Sequence, residues 1–233
     1  MTTTPKKPAA SLIGVAGAYL LLALIVYCAG PFLLTISGSS GINGWLFFQT
    51  RILIWAVLAL LYLYAMRIEK QPLLLWPEHR YKPLFYVGSI FVCLIIIAIG
   101  SGILTFIVAR FHQEETSPKL LEYVRLMKNN TPLLIFTALT AGVTEELIFR
   151  GYMQPRLEKA FNSPVPAIII TSFLFAALHT SYGTLIQFLV PLFIGVLFSV
   201  FYSKYRNIKI LILCHFLVDT LSLLALTLHQ SKG

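Results

Sequence analysis

Thr131-Pro132-Leu133-Leu134-Ile135-Phe136-Thr137-Ala138-Leu139-Thr140-Ala141-Gly142-Val143-Thr144-Glu145-Glu146-Leu147-Ile148-Phe149-Arg150 decides how this chain folds. It begins as an apolar run fit to enter a membrane, then carries two adjacent carboxylates and a guanidinium one turn on. A carboxylate in hydrocarbon costs at least about 2.5 kcal/mol, and a pair repels itself, so such residues face a bundle interior or a wet cavity. The stretch therefore predicts a membrane helix whose acids have a purpose.

The rest of the chain agrees. Of 233 residues, 58% are hydrophobic and 12% charged, with mean hydropathy +0.81; soluble domains carry about a quarter charged residues. Apolar periodicity does not orient helices in lipid, so length and flanks place them. They predict an all-α, multi-pass transmembrane bundle of about seven spans, near residues 11–36, 44–66, 83–109, 132–160, 165–181, 184–203 and 208–228. Three spans fill residues 1–110, a polar connector 111–131, and four spans 132–228. The connector, with Glu114, Glu115, Lys119, Glu122, Arg125 and Lys128 around Pro118, reads as an amphipathic surface helix or a gate.

The net charge of +9 is spread over short connectors rather than along one stripe, which argues against nucleic acid. Topology accounts for it better. Lys6, Lys7, Arg67, Lys70, Arg80, Lys82, Arg156, Lys159, Lys204, Arg206 and Lys209 fall on one side of the bundle, and Arg110, Lys119, Arg125, Lys128 and Lys232 on the other. The positive-inside rule then puts the N-terminus in the cytoplasm of a cell-membrane protein. The first run is too long for a signal-peptide core and reads as an uncleaved helix. No internal repeat of the transporter kind is evident. Cys28, Cys93 and Cys214 have no paired spacing and read as packing residues. Arg51 reads as a structural side chain snorkelling to the outer surface, and His79, His112 and His229 lie in connectors or at the chain end. Nothing in the chain bears on oligomeric state.

Span four, about 29 residues or roughly 43 Å, exceeds a hydrocarbon core of about 30 Å, so its end should protrude. A turn at Asn162-Ser163-Pro164 comes next. Glu145 and His179 each lie 17 residues from Asn162, so an antiparallel hairpin sets them at similar depth. Glu146 with Arg150, and His215 with Asp219, are four apart and share helix faces. Arg150 compensates Glu146, while Glu145 has no local cation and is suited to take a proton from water. His179 and His215 are partners for such a base: one imidazole could share the attacking water or bind a metal that polarises it, and the other could donate to an oxyanion. Asp219 can orient His215 or add a ligand.

Glu-Glu-x-x-x-Arg at 145–150, Phe-x-x-x-His at Phe175 and His179, and His-x-x-x-Asp at His215 and Asp219, in this order on successive spans, resemble the CPBP family. That family comprises type II CAAX prenyl endopeptidases and bacteriocin-processing, Abi-type intramembrane proteases. The resemblance covers roughly residues 130–225. It implies an endopeptidase acting on a membrane-associated protein or peptide, with the lipid bilayer as its other partner. Glu145 would be the base working with His179, while His215 and Asp219 would stabilise the oxyanion or ligate a metal; Glu146, Arg150 and Phe175 would support the site. Asp219 departs from the Asn of many relatives, and an ionised carboxylate is a poor oxyanion donor. It therefore fits better as an orienter of His215, a metal ligand or a protonated acid. His-Glu-x-x-His is absent, so any zinc site, with His179, His215, Glu145 and Asp219 as ligands, would be assembled from separate helices.

This reading expects a cavity among spans four, five and seven, open toward the cytoplasm. Its rivals are a proton-coupled transporter, because intramembrane Glu, His and Asp also build relays, and a non-catalytic membrane scaffold.

Overall fold

A computed structural model describes residues 8–111 and 116–229; Lys6, Lys7, His112, Glu114, Glu115 and Lys232 lie outside them. Every regular element among the described residues is helical. Seven helices are long and apolar enough to cross a membrane: α1 (Ala10–Ser37), α2 (Gly44–Glu69), α3 (Pro83–Phe111), α5 (Thr131–Phe161), α6 (Pro164–Tyr182), α7 (Ile186–Tyr205) and α8 (Ile208–His229). Between α3 and α5 runs a shorter helix, α4 (Pro118–Met127). It is the amphipathic surface helix expected of the connector, with Val124 and Met127 buried and Glu122 and Arg125 exposed.

The boundaries reflect local chemistry. Asn43 accepts the backbone N–H of Leu46 and so caps α2; Asn130 does the same for Leu133 at the start of α5. Asn162 takes a left-handed backbone (φ 51°) and closes α5 beside Pro164. Arg206 (φ 47°) ends α7 likewise. Asn207 then donates to the His79 carbonyl and the Tyr86 hydroxyl, while Glu78 accepts the Ile208 N–H at 2.9 Å. The 70–82 connector thus fixes where α8 begins, and with it the height of His215.

The helix that carries the two adjacent acids, α5, is the most buried of the seven. Phe149, Tyr152 and Met153 pack one side against α1, α2 and α6, while Phe198, Tyr202 and Cys214 join α3, α7 and α8 on the other. Large apolar side chains such as Phe91, Phe106, Ile169 and Leu221 point outward, as lipid-facing surfaces require. Gly142 lets α8 approach closely: a Cβ there would lie 3.0 Å from the Ile212 carbonyl oxygen and the Phe216 nitrogen.

Two features depart from the expected pattern. Residues Ala141–Glu145 and Leu147–Met153 are π-helical, and each residue gained against the α repeat rotates the downstream part of the helix by about 100°. Arg156, expected among the charges that set topology, is buried. It donates to Glu69 from Nε at 2.9 Å and to the carbonyls of Pro72 and Leu73, and Tyr152 donates to the same carboxylate at 2.6 Å. It ties α2 to α5 instead of facing the surface.

Candidate active site

The sealed part of the site is built on Glu146. Its Oε1 accepts Arg150 Nη1 at 3.0 Å and lies 2.8 Å from His215 Nδ1. A carboxylate at that distance accepts, so Nδ1 donates. Arg150 also donates to the Gly195 carbonyl at 3.3 Å, and its guanidinium carbon sits 4.5 Å above the Phe175 ring and 5.7 Å above that of Phe198. Both charged side chains are 0% exposed. Glu146 is therefore more than the partner of Arg150: it also holds the imidazole of His215. Asp219 does not orient that ring by a hydrogen bond. Its Oδ2 stands 3.7 Å from Nε2, too far to bond directly, and its side chain is 31% exposed.

Glu145 points elsewhere. Its side chain is 20% exposed, its Oε2 lies 4.0 Å from His215 Nε2, and that oxygen has no hydrogen-bond partner. Such an oxygen in a folded interior calls for an explanation, and a catalytic purpose is one. His179, at the end of α6, donates Nδ1 to the Phe175 carbonyl at 2.9 Å, so in the neutral ring Nε2 keeps its lone pair. Glu145 and His179 line one cavity of about 430 Å³, as the hairpin arithmetic expects, but they share no hydrogen bond. Phe175 packs between the two imidazoles, 4.9 Å from His179 and 6.0 Å from His215 by ring centroids.

The cavity is not where the sequence expects it. Its walls come from α1 (Leu22, Tyr27, Leu34), the loop after it (Ser40, Gly41), α2 (Thr50, Arg51, Ile54), α4 (Lys119, Tyr123), Glu145, and the end of α6 (His179, Ser181, Tyr182). Span seven is not among its lining residues, and the first two spans, which carry no motif, form much of it. The lining loops come after α1, α3 and α6, hence at the end of the bundle away from the N-terminus. An N-terminus in the cytoplasm and a cavity open toward it are therefore incompatible. The reason is that the loop after α1, helix α4 and the end of α6, all at that end of the bundle, supply walls around Glu145 and His179.

Arg51 was missed by the sequence reading and lines this cavity together with Glu122 and Glu145, forming an ion pair with neither among the described residues. No local spacing marks it; only the packing of α2 across α5 brings it there, with Trp55 donating to Thr140 at 3.0 Å. As for zinc, no three His, Cys, Asp or Glu among the described residues are gathered to hold a metal ion; Nδ1 of both imidazoles is engaged, so Nε2 of each is the atom a metal would take. The side chains as placed do not form a zinc site.

No curated protein and no solved structure matches the chain. A family model, Type II CAAX prenyl endopeptidase Rce1-like, matches residues 127–221, which run from the last residue of the surface helix to just past Asp219 and include every motif position. Over that stretch the chain is thus similar to the Rce1-like type II CAAX prenyl endopeptidases, a protease family consistent with the CPBP resemblance.

Proposed function

We propose that this protein is an intramembrane endopeptidase in which Glu145 activates the attacking water. The observation that carries this reading is the unpartnered Glu145 oxygen in a cavity shared with His179, 4.0 Å from His215 Nε2. Glu145 takes a proton as the water oxygen bonds to the peptide carbonyl carbon, while His179 Nε2 accepts from the same water and aims it. His215, with Nδ1–H anchored on Glu146, presents Nε2–H to the oxyanion; carboxylates on both sides of the ring make a cation the complementary charge there. Collapse of the tetrahedral intermediate breaks the C–N bond, and Glu145 returns its proton to the leaving amine. Asp219, across from Nε2, supports the cationic ring electrostatically. No step uses a metal.

The test is unbiased peptide-termini profiling of membranes holding wild type or Glu145→Gln, run with and without a zinc chelator. One set of new termini should vanish in the variant and persist under chelation. Identical profiles would remove the protease reading in favour of a relay or scaffold; termini lost to the chelator and restored by zinc would reassign Glu145, His179, His215 and Asp219 as ligands.

With the N-terminus in the cytoplasm, as the charge asymmetry argues, substrate enters from the non-cytoplasmic face. A membrane-impermeant maleimide added to intact cells should label Ser181→Cys. Labelling only after the cells are opened would reverse the orientation.

A further inference from the structure

At the end of the bundle opposite the Glu145 cavity, a second cavity of about 420 Å³ lies between the 70–82 connector and the turn from α5 to α6. Leu75 and Trp76 wall it on one side, and Glu158, Lys159, Asn162 and Ser163 on the other. Helix α6, with 19 residues, is about 28 Å long, close to a hydrocarbon core of about 30 Å. Its first turn therefore stands at the level of the lipid headgroups. Below that turn Val165, Ile169 and Phe173, each four residues from the next, form one exposed apolar row along which an acyl chain can lie.

Glu158 is half-buried, and its Oε2 is closed off without a hydrogen-bond partner. Folded proteins leave few such oxygens. Lys159, exposed on the same wall, points about 100° away around the helix and forms no ion pair with Glu158 among the described residues. Arg206 attracts Glu158 from beside the cavity, yet its guanidinium carbon rests 4.9 Å over the Trp76 ring, and no ion pair joins it to the acid among the described residues. Glu78, the other acid of the connector, is engaged by the Ile208 N–H. Ser163 starts α6 without capping it by its side chain. One wall thus offers a carboxylate in want of a donor, with an ammonium and a hydroxyl beside it. A zwitterion whose ammonium and phosphate are joined by two carbons answers both. We propose that this cavity binds the phosphoethanolamine headgroup of a membrane phospholipid, its ammonium donating to Glu158, its phosphate facing Lys159 and Ser163, and an acyl chain running down α6 over Val165, Ile169 and Phe173. A primary ammonium carries three N–H donors; a choline headgroup has none, and a glycerol headgroup has no cation, so the site selects among lipids. The inference does not depend on the peptidase reading.

The probes are phosphatidylethanolamine, phosphatidylcholine and phosphatidylglycerol of one chain length, each with a fluorophore on an acyl chain. Binding to the full-length protein in detergent is read by anisotropy. Phosphatidylethanolamine should bind about 10- to 100-fold more tightly than either of the others, as hydrogen bonds to a charged group allow. Glu158→Gln, which breaks no hydrogen bond at Oε2, should erase that preference while the melting temperature stays close to that of wild type. Lys159→Gln should weaken all three lipids alike and keep their order. Equal binding of the three lipids by wild type overturns the site, as does a preference that survives Glu158→Gln. If that variant does not accumulate, Glu158→Asp, which withdraws the carboxylate by one methylene, decides: most of the preference should go, and its full retention overturns the site. Glycerophosphoethanolamine, the same headgroup without chains, should displace the labelled lipid at least about 100-fold less effectively than unlabelled phosphatidylethanolamine, because it brings no acyl chain to bury. Equal displacement would overturn the lipid and give the seat to a soluble ester.

Discussion

Glu145→Gln should abolish peptide hydrolysis, by about 10²- to 10⁴-fold in kcat, the range that a positioned general base contributes. The amide keeps the shape of the carboxylate but does not take the proton from water. Because Glu145 borders the cavity and its Oε2 makes no hydrogen bond, the substitution breaks no hydrogen bond at that oxygen. It relieves a like charge next to Glu146 and gives up the attraction of His215 4.0 Å away, two effects of opposite sign, so the melting temperature in detergent should change little. This pairing of lost turnover with retained stability is what separates a catalytic acid from a structural one. Glu146→Gln should show the opposite mixture, with both quantities falling, because that carboxylate holds Arg150 and His215 together. A Glu145→Gln protein within about threefold of wild-type kcat, beside an inactive but stable Glu146→Gln, would exchange the two assignments.

How much of the fold and site was legible in the sequence depends on the range of the interaction involved. Length and flanking residues place the spans, because hydrocarbon thickness and capping act locally: the run near 44–66 is Gly44–Glu69, and that near 208–228 is Ile208–His229. The turn at Asn162 was readable for the same reason. The four-residue spacing of Glu146 and Arg150 survives even within π-helical turns, since their bond is short-range. What the sequence hid is the long-range part. The bond between Glu146 and His215 joins residues 69 apart and depends on Gly142 admitting α8. Depth arithmetic sets His179 and Glu145 at similar height, and both line one cavity, but it does not reach His215, whose Nε2 lies 4.0 Å from Glu145. Arg51 carries no motif and reads as a snorkelling side chain until α1, α4 and α6 are seen to close a cavity over it.

Removing Arg150 should have the largest effect on stability. Arg150→Met leaves the Glu146 carboxylate in a dry interior with only the imidazole of His215 opposite it, and takes a donor from the Gly195 carbonyl. Breaking a buried pair from one side costs about 3 to 5 kcal/mol, a large share of the roughly 5 to 15 kcal/mol that holds a typical domain together. The single variant should therefore fail to accumulate, or melt well below wild type. Arg150→Lys should recover only part, because an ammonium does not span Glu146 and Gly195 as a planar fork does, nor stack on Phe175 in the same way. Loss of packing among the three phenylalanines would act in the same direction, so a charge argument needs the cycle. In the double variant Glu146→Gln with Arg150→Met neither ion remains. Stability should return close to that of wild type, because the native network is itself incompletely satisfied, with Glu146 Oε2 and Arg150 Nε lacking partners. Activity should not return with it, since His215 would have lost the carboxylate that fixes its tautomer and orientation. A double variant as unstable as Arg150→Met would mean that Arg150 acts through its packing against Phe149, Phe175 and Phe198 rather than its charge. A double variant both stable and active would mean that the reaction does not need His215 held at Nδ1, and would move the oxyanion donor elsewhere in the cavity.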